Sequence, residues 1–307
     1  MEGIVEYNNE NGEKKILRNI SKIGEGGIGV VYKALLDGFG EVAVKYQINV
    51  SEDDITSALL EYRKSPLLSQ HSITVRRIIV APHIKSLYPM LNDPAVSVTF
   101  SNIENYKIIF IYDLAVGMEL FEVIQLQQES GVPFTLSTLK QYSLQLLEGI
   151  IEIRNAEIIH RDIKPENIML HNGNLKFIDF GMICQPVGEN ICNGVRGTPF
   201  FISPKILKNQ NNLNSDDWYN SDVYAIGITI MNLLGEIPFE EYDEDEDPLY
   251  VILEDNSVDI IYELIQSKIE SILTREGYKN FAPLILGLTA QNPITPEDAI
   301  DLLKNIL

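Results

Sequence analysis

Asp162, Lys164 and Asn167 fall within one short stretch, His160-Arg161-Asp162-Ile163-Lys164-Pro165-Glu166-Asn167, which brings together a carboxylate, an ammonium and an amide oxygen. Transfer of a phosphoryl group to a hydroxyl asks for that set: the hydroxyl must be positioned and its proton accepted, charge on the phosphoryl oxygens neutralised, and a metal held. Asp162 suits the base and positioner, Lys164 the neutralising charge, and Asn167 an oxygen ligand for Mg²⁺. The plain alternative is a polar loop between a helix and a strand, and a string this specific speaks against it. Asp179-Phe180-Gly181 follows the strand-like residues 175–178. Alone it would read as a turn; after such a loop, Asp179 becomes a candidate ligand for Mg²⁺ bridging nucleotide phosphates.

Upstream, Gly24-Glu25-Gly26-Gly27-Ile28-Gly29-Val30-Val31 fits G-x-G-x-x-G. By itself this is weak, since turn glycines or a dinucleotide site give the same spacing. A dinucleotide fingerprint opens a helix, whereas Val30-Val31-Tyr32 continues as a strand. A glycine hairpin between two strands can fold over a nucleotide and offer N–H groups to its phosphates. Val42-Ala43-Val44-Lys45 then places a lysine on alternating apolar residues. Such a lysine is ordinarily solvated, but here it can project into a cleft, pair with the α- and β-phosphates of ATP, and meet a helix glutamate. Glu61 is the preferred partner; Glu52 reads as a helix-capping residue.

The elements that must position these groups change character along the chain. Residues 14–22, 29–34 and 41–47 read as strands, 55–64 as a helix after Ser51-Glu52-Asp53-Asp54, and 75–80 and 106–112 as strands. Residues 81–105 read as a long connection. Helical periodicity follows at 120–128, 136–154, 221–234, 258–274, 281–291 and 296–306. Strands first and helices later predict an α+β chain with two lobes. The expected division is an N-terminal extension at 1–15, a small, mainly β lobe at 16–114 and a larger, mainly α lobe at 115–307, with a hinge near 113–117.

With these motifs in order, residues 16–305 resemble the eukaryotic-type Ser/Thr protein kinase family. The resemblance implies a two-lobed fold with MgATP in the cleft and a protein Ser or Thr hydroxyl as acceptor. It implies that Gly24, Gly26 and Gly29 cover the phosphates. Val31 and Ala43 would form the upper wall of the adenine site, and Met169 and Ile178 its floor. Tyr112 takes the gatekeeper position, Asp113 to Ala115 the hinge, and Glu119 a place near the ribose and a basic substrate side chain. Lys164 and Gly197-Thr198-Pro199 are of the Ser/Thr type, with Thr198 expected to bond Asp162 or Lys164. Asp222 is expected to brace the catalytic-loop backbone.

Four departures modify that picture. Ser203-Pro204-Lys205 stands where the family has Ala-Pro-Glu, and the arginine that pairs with that glutamate is missing near 291–296, which predicts a rewired lobe. No Ser, Thr or Tyr lies between Gly181 and Thr198, so activity without activation-loop phosphorylation is expected, with Glu189 meeting Arg161. Ser65-Pro66 interrupts the helix carrying Glu61 and puts its position in question. Residues 81–105 carry no catalytic reading.

Composition bounds the rest. The net charge of −20 repels nucleic acid and anionic lipid and favours basic protein partners; the run 240–247, Glu119 and Glu166 point to basic residues near the phosphoacceptor. Cys184 and Cys192 are too few for a disulfide framework, suit a reducing compartment, and read as two incidental thiols rather than a redox pair. His71, His83 and His171 lack metal-ligand spacing. No basic patch followed by an apolar run opens the chain, and no stretch is apolar enough to span a bilayer, so a soluble cytoplasmic or other intracellular protein is expected. Oligomeric state is left open. The main alternative is a pseudokinase scaffold or nucleotide-gated binder. Lys45, Asp162, Asn167 and Asp179 argue against it, because each has a chemical role that a scaffold does not need.

Overall fold

The computed structural model describes residues 5–8, 14–26, 29–47, 50, 52–68, 70–80, 108–187, 192, 194–208, 213–235, 258–275 and 277–306. The connection 81–105, the acidic run 240–247, His83 and Glu189 lie outside them. The chain divides into two compact units, residues 1–69 with 73–116, and 70–72 with 117–307.

The first unit is an antiparallel sheet with one helix. Its strands are β1 (Val5–Asn8), β2 (Lys14–Gly26), β3 (Gly29–Leu36), β4 (Gly40–Gln47), β5 (Val75–Val80) and β6 (Ile108–Asp113), in spatial order β1-β2-β3-β4-β6-β5. The alternation of β4 and β6 decides which side chains meet. Phe110 and Tyr112 share one face with Ile78 and pack on Ile55, Ala58 and Leu59 of helix α1 (Glu52–Lys64). Val42, Val44, Ile109 and Ile111 take the other face, with Leu17, Ala34 and Leu36. β2 runs on through the first glycines where a turn was expected.

α1 stops at Lys64, and a single 3₁₀ turn, Ser65–Leu67, contains the proline. Ser65 is buried, and its hydroxyl accepts the Val75 N–H at 2.6 Å. The Ser-Pro step expected to weaken the helix therefore ties its end to the start of β5.

The second unit is mainly helical, as the α+β expectation requires. It holds a small sheet of β7 (Gly117–Glu119), β8 (Ile168–His171) and β9 (Asn174–Phe177), and helices α2 (Leu120–Ser130), α3 (Leu136–Asn155), α4 (Pro204–Lys208), α5 (Ser215–Leu233), α6 (Val258–Thr274), α7 (Ala282–Thr289) and α8 (Pro296–Lys304). α5 packs on α3, α4 and α7 and buries nearly every side chain from Asp222 to Leu233. It begins earlier than the apolar pattern predicts, because Asn214 and Asp217 form a reciprocal cap: each side chain accepts the other's N–H, at 3.0 and 2.9 Å. No helix among the described residues is long and apolar enough to cross a membrane.

Candidate functional site

In the sheet unit, Gly24 and Gly26 end β2 and Gly29 opens β3, with Gly26 opposite Gly29. A Cβ on Gly29 would sit 2.2 Å from the Tyr46 carbonyl oxygen, so only glycine fits where β4 passes. Val31 lies opposite Lys45, and Ala43 opposite Tyr112. Ala43 and Lys45, two residues apart, share the face that packs against α1. Lys45 and Glu61 are both buried. The Tyr112 hydroxyl donates to Glu61 Oε1 at 2.8 Å. Asp113 closes β6, its carboxylate accepting the Thr74 hydroxyl at 3.2 Å and pairing with Arg76. Ala115 follows, half-buried, before β7.

In the helical unit, the chemistry-bearing residues sit on irregular backbone. Arg161 (φ 68) and Asp179 (φ 56) occupy the left-handed region, which non-glycine residues adopt only when their surroundings hold them there. Asp222 supplies part of that hold: its carboxylate accepts the His160 N–H at 2.7 Å and the Arg161 N–H at 3.0 Å. Burial pushes Asp222 up to about 7, against the pull of those two N–H donors and the Arg161 guanidinium. His160 is fully buried, its ring 4.8 Å from that of Phe180. Burial drives its pKa down despite Asp162 and Asp179, so it stays a neutral imidazole whose Nδ1 accepts the Asp162 N–H at 3.3 Å.

Asp162 is the hub. Its Oδ1 accepts both the Thr198 N–H (2.9 Å) and the Thr198 hydroxyl (2.8 Å), and its Oδ2 accepts Asn167 Nδ2 (2.8 Å). Lys164 Nζ donates to Thr198 Oγ1 at 2.7 Å and stands 3.6 Å from Asp162 Oδ2. Thr198 thus donates to Asp162 and accepts from Lys164, joining both. Gly197 makes this approach possible: at φ 113, a Cβ there would fall 2.1 Å from the Arg161 carbonyl oxygen.

The donor set fits a small hard cation. Asn167 spends its amide nitrogen on Asp162, which leaves its oxygen for a metal. Asp179 adds a carboxylate whose Oδ1 also accepts the Gly181 N–H at 3.2 Å. Among the described residues, no group of three or more His, Cys, Asp or Glu side chains could hold a metal. A Mg²⁺ here would therefore draw on Asn167, Asp179, water and phosphate oxygens.

Met169 lies in β8 opposite Glu119, and the Ile178 N–H bonds the Asn167 carbonyl at 2.9 Å. Burial, then Glu122 and Glu166, raise the pKa of Glu119 against the opposing pull of Lys164.

One expectation is corrected. Cys184 and Cys192 are not incidental thiols: they form a disulfide, with Cα atoms 5.0 Å apart. Cys184 also bridges to Ile159 by two backbone hydrogen bonds, 2.9 and 3.1 Å. Around Ser203-Pro204-Lys205, where a rewired lobe was expected, Lys205 pairs with the buried Asp217 at 2.5 Å. Sequence reasoning missed this ion pair, and the Asn214-x-x-Asp217 cap spacing was the signal that would have placed Asp217 on the helix start. The Arg161 Nε donates to the Met182 carbonyl at 2.5 Å; its expected partner Glu189 is outside the described residues. His71 is half-buried, its N–H bonded to Glu152 at 2.8 Å, and His171 contacts Asn172 at 3.1 Å.

The model of the protein kinase domain matches residues 17–307. A probable serine/threonine-protein kinase of Dictyostelium discoideum is 29% identical over 74% of this chain and 22% of its own length. The CBL-interacting serine/threonine-protein kinase 24 of Arabidopsis thaliana is 29% identical over 57% of this chain and 35% of its own. Protein kinase C eta type of Mus musculus is 28% identical over 74% of this chain and 30% of its own. The matched segment thus spans between about a fifth and about a third of these relatives. With the family's loop motifs joined around Asp162 and the match covering nearly the whole sequence, the chain belongs to the protein kinase domain family, in the two-lobed kinase fold.

Proposed function

We propose that the chain is an active Ser/Thr protein kinase that transfers the γ-phosphoryl group of ATP to protein hydroxyls without activation-loop phosphorylation. The observation that carries this reading is the closed network of Asp162, Lys164, Asn167 and Thr198. It is formed in a chain with no Ser, Thr or Tyr between Gly181 and Thr198, so no phosphate in that stretch is needed to assemble it.

Asp162 positions the acceptor hydroxyl and takes its proton at a carboxylate oxygen. Lys164 neutralises charge developing on the transferred group, and Thr198 holds these two side chains in register. Lys45, paired with Glu61, orients the α- and β-phosphates, while Gly24, Gly26 and Gly29 cover them. For the adenine, the first unit offers Val31 and Ala43 with Tyr112, Asp113 and Ala115, and the second unit offers Met169 and Ile178. Asn167 and Asp179 would hold Mg²⁺, which when bound would offset charge on the phosphate oxygens. Glu119, whose pKa is raised by burial and then by the nearby Glu122 and Glu166, favours together with them a substrate with basic residues near the acceptor. An intracellular location belongs to the same proposal. The Cys184–Cys192 bridge, a bond uncommon in reducing compartments, makes the thiol state after alkylation in cells its direct check.

The test is incorporation of label from γ-labelled ATP by the chain alone and with basic and acidic protein substrates, beside Asp162→Asn and Lys45→Met. Incorporation lost in both variants is expected. MgATP binding with no transfer by the parent chain would replace this reading with a nucleotide-gated scaffold.

A further inference from the structure

We infer that Tyr112 is a positioning residue that holds Glu61, and through it helix α1, in register with the sheet bearing Lys45. The inference deepens the proposed function and rests on it for its catalytic consequence only. The bond itself joins two buried side chains, Tyr112 at 8% exposure and Glu61 at 2%. Water cannot compete at such a site, and an unmatched hydroxyl or carboxylate there is costly. The Tyr112 ring is itself held in place, because it stacks on Phe110 with centroids 5.7 Å apart and planes 22° from parallel. The β4–β6 register sets Phe110 opposite Lys45 and Tyr112 opposite Ala43. Strand pairing therefore fixes how far the phenol stands from Lys45 along the ladder.

A carboxylate can accept several hydrogen bonds. The phenol donates to Oε1, and a carboxylate so bonded still has lone pairs for an ammonium, so Tyr112 can reinforce a Lys45–Glu61 pairing rather than displace it. One helical turn further on, the Ser65 hydroxyl takes the Val75 N–H at 2.6 Å. α1 is thus tied to the sheet at two successive turns, to β6 and to β5, by bonds made within its own unit.

The experiment compares the parent chain with Tyr112→Phe, Glu61→Leu and the double variant. The first readout is amide hydrogen exchange across residues 52–64, without nucleotide. Tyr112→Phe keeps the ring and its stacking and removes only the hydroxyl. Exchange in that segment should quicken about five- to tenfold, the equivalent of one buried hydrogen bond. Glu61→Leu should do the same from the other side, and the double variant should be no looser than either single one. The second readout is transfer: kcat/KM for ATP should fall about tenfold in Tyr112→Phe, KM for the protein substrate should stay within about twofold, and the Tyr112 effect should vanish in the Glu61→Leu background. Unchanged exchange in Tyr112→Phe, or additive losses in the double variant, overturns the inference. If the parent chain shows no transfer, the kinase reading fails while the exchange readout still decides the role of Tyr112.

Discussion

The two units place their chemical groups by different physics. In the sheet unit, Lys45 and Tyr112 stand on regular strands, and the register of β3, β4 and β6 determines their neighbours. Apolar packing on both faces then holds the ladder, and polar contacts only trim the position of α1. In the helical unit, Asp162, Asn167, Asp179 and Thr198 lie on loops and single turns, three of them next to or in positive-φ backbone. There a polar web stands in for the ladder: Asp222 grips two consecutive N–H groups, and Thr198 joins Asp162 to Lys164. A site on a strand inherits its geometry from the fold; a site on a loop has to bond it into place. Removing one polar atom should therefore do far more harm in the second unit than in the first.

The largest effect expected is on the hub itself. Asp162→Asn keeps an oxygen for Thr198 but gives up the base, so transfer should drop by about 10²- to 10⁴-fold. Its melting temperature should stay within a few degrees of the parent's, as measured by calorimetry. A variant that melted far lower would mean that Asp162 holds the loop together more than it acts on substrate.

Asp222→Ala tests the web more severely, because it strands the His160 and Arg161 N–H groups. At about 1–3 kcal/mol for each of the two unsatisfied donors, the loss should be about 2–6 kcal/mol in denaturant unfolding. pH sharpens the point. Burial raises Asp222 from its ordinary 3.8 to about 7, so the folded chain holds a proton there that the unfolded chain has released. The stability from this group is therefore complete below pH 3.8 and is lost as pH rises to about 7. Asp222→Asn removes the titration. The stability of the parent relative to this variant should fall across that window, and a flat difference would show that Asp222 is ionised throughout.

A smaller change is expected at Lys205. Burial works against the Asp217 carboxylate, but the Asn214 N–H and the Lys205 ammonium win and hold its pKa below the ordinary 3.8. Their contribution is present above that pH and is lost as pH falls through the lowered value. Lys205 is partly exposed, so the pair is worth less than a fully buried one. Lys205→Glu, which restores the family's usual residue type, should destabilise by about 2 kcal/mol and Lys205→Ala by about half that. Stabilisation by glutamate would mean that another cation had taken the missing arginine's place.

How much of this was legible in the sequence follows the same division. Strands, helices and the sheet face of Lys45 were readable because apolar alternation and helical periodicity are local signals. The loop residues were readable only as a motif, since no pattern of burial marks Asp162 or Asp179. What escaped was pairing between distant positions. Lys205 with Asp217 and Tyr112 with Glu61 each depend on where two segments come to lie, and neither composition nor spacing encodes that; Cys184 with Cys192, eight residues apart, was open as a pair in the sequence and set aside there. Ser65 shows the limit from the other side: Ser-Pro reads correctly as ending a helix, but its use as an anchor requires knowing that β5 returns beside it.

Ser65 also gives the gentlest break of the comparison. Ser65→Ala removes one hydroxyl and leaves the Val75 N–H buried without its acceptor, yet α1 keeps its packing through Ile55, Ala58 and Leu59. The expected loss is about 1 kcal/mol, at the low end for a buried donor, because the strand ladder and the apolar face do not depend on this bond. Hydrogen exchange should quicken at Val75 and along the last turn of α1, with the rest of the sheet unchanged. Transfer should fall by less than in Tyr112→Phe, since Ser65 lies one turn beyond the glutamate proposed to meet Lys45. A loss as large as that of Asp222→Ala would reverse the contrast, making the sheet unit as dependent on single polar contacts as the catalytic loop.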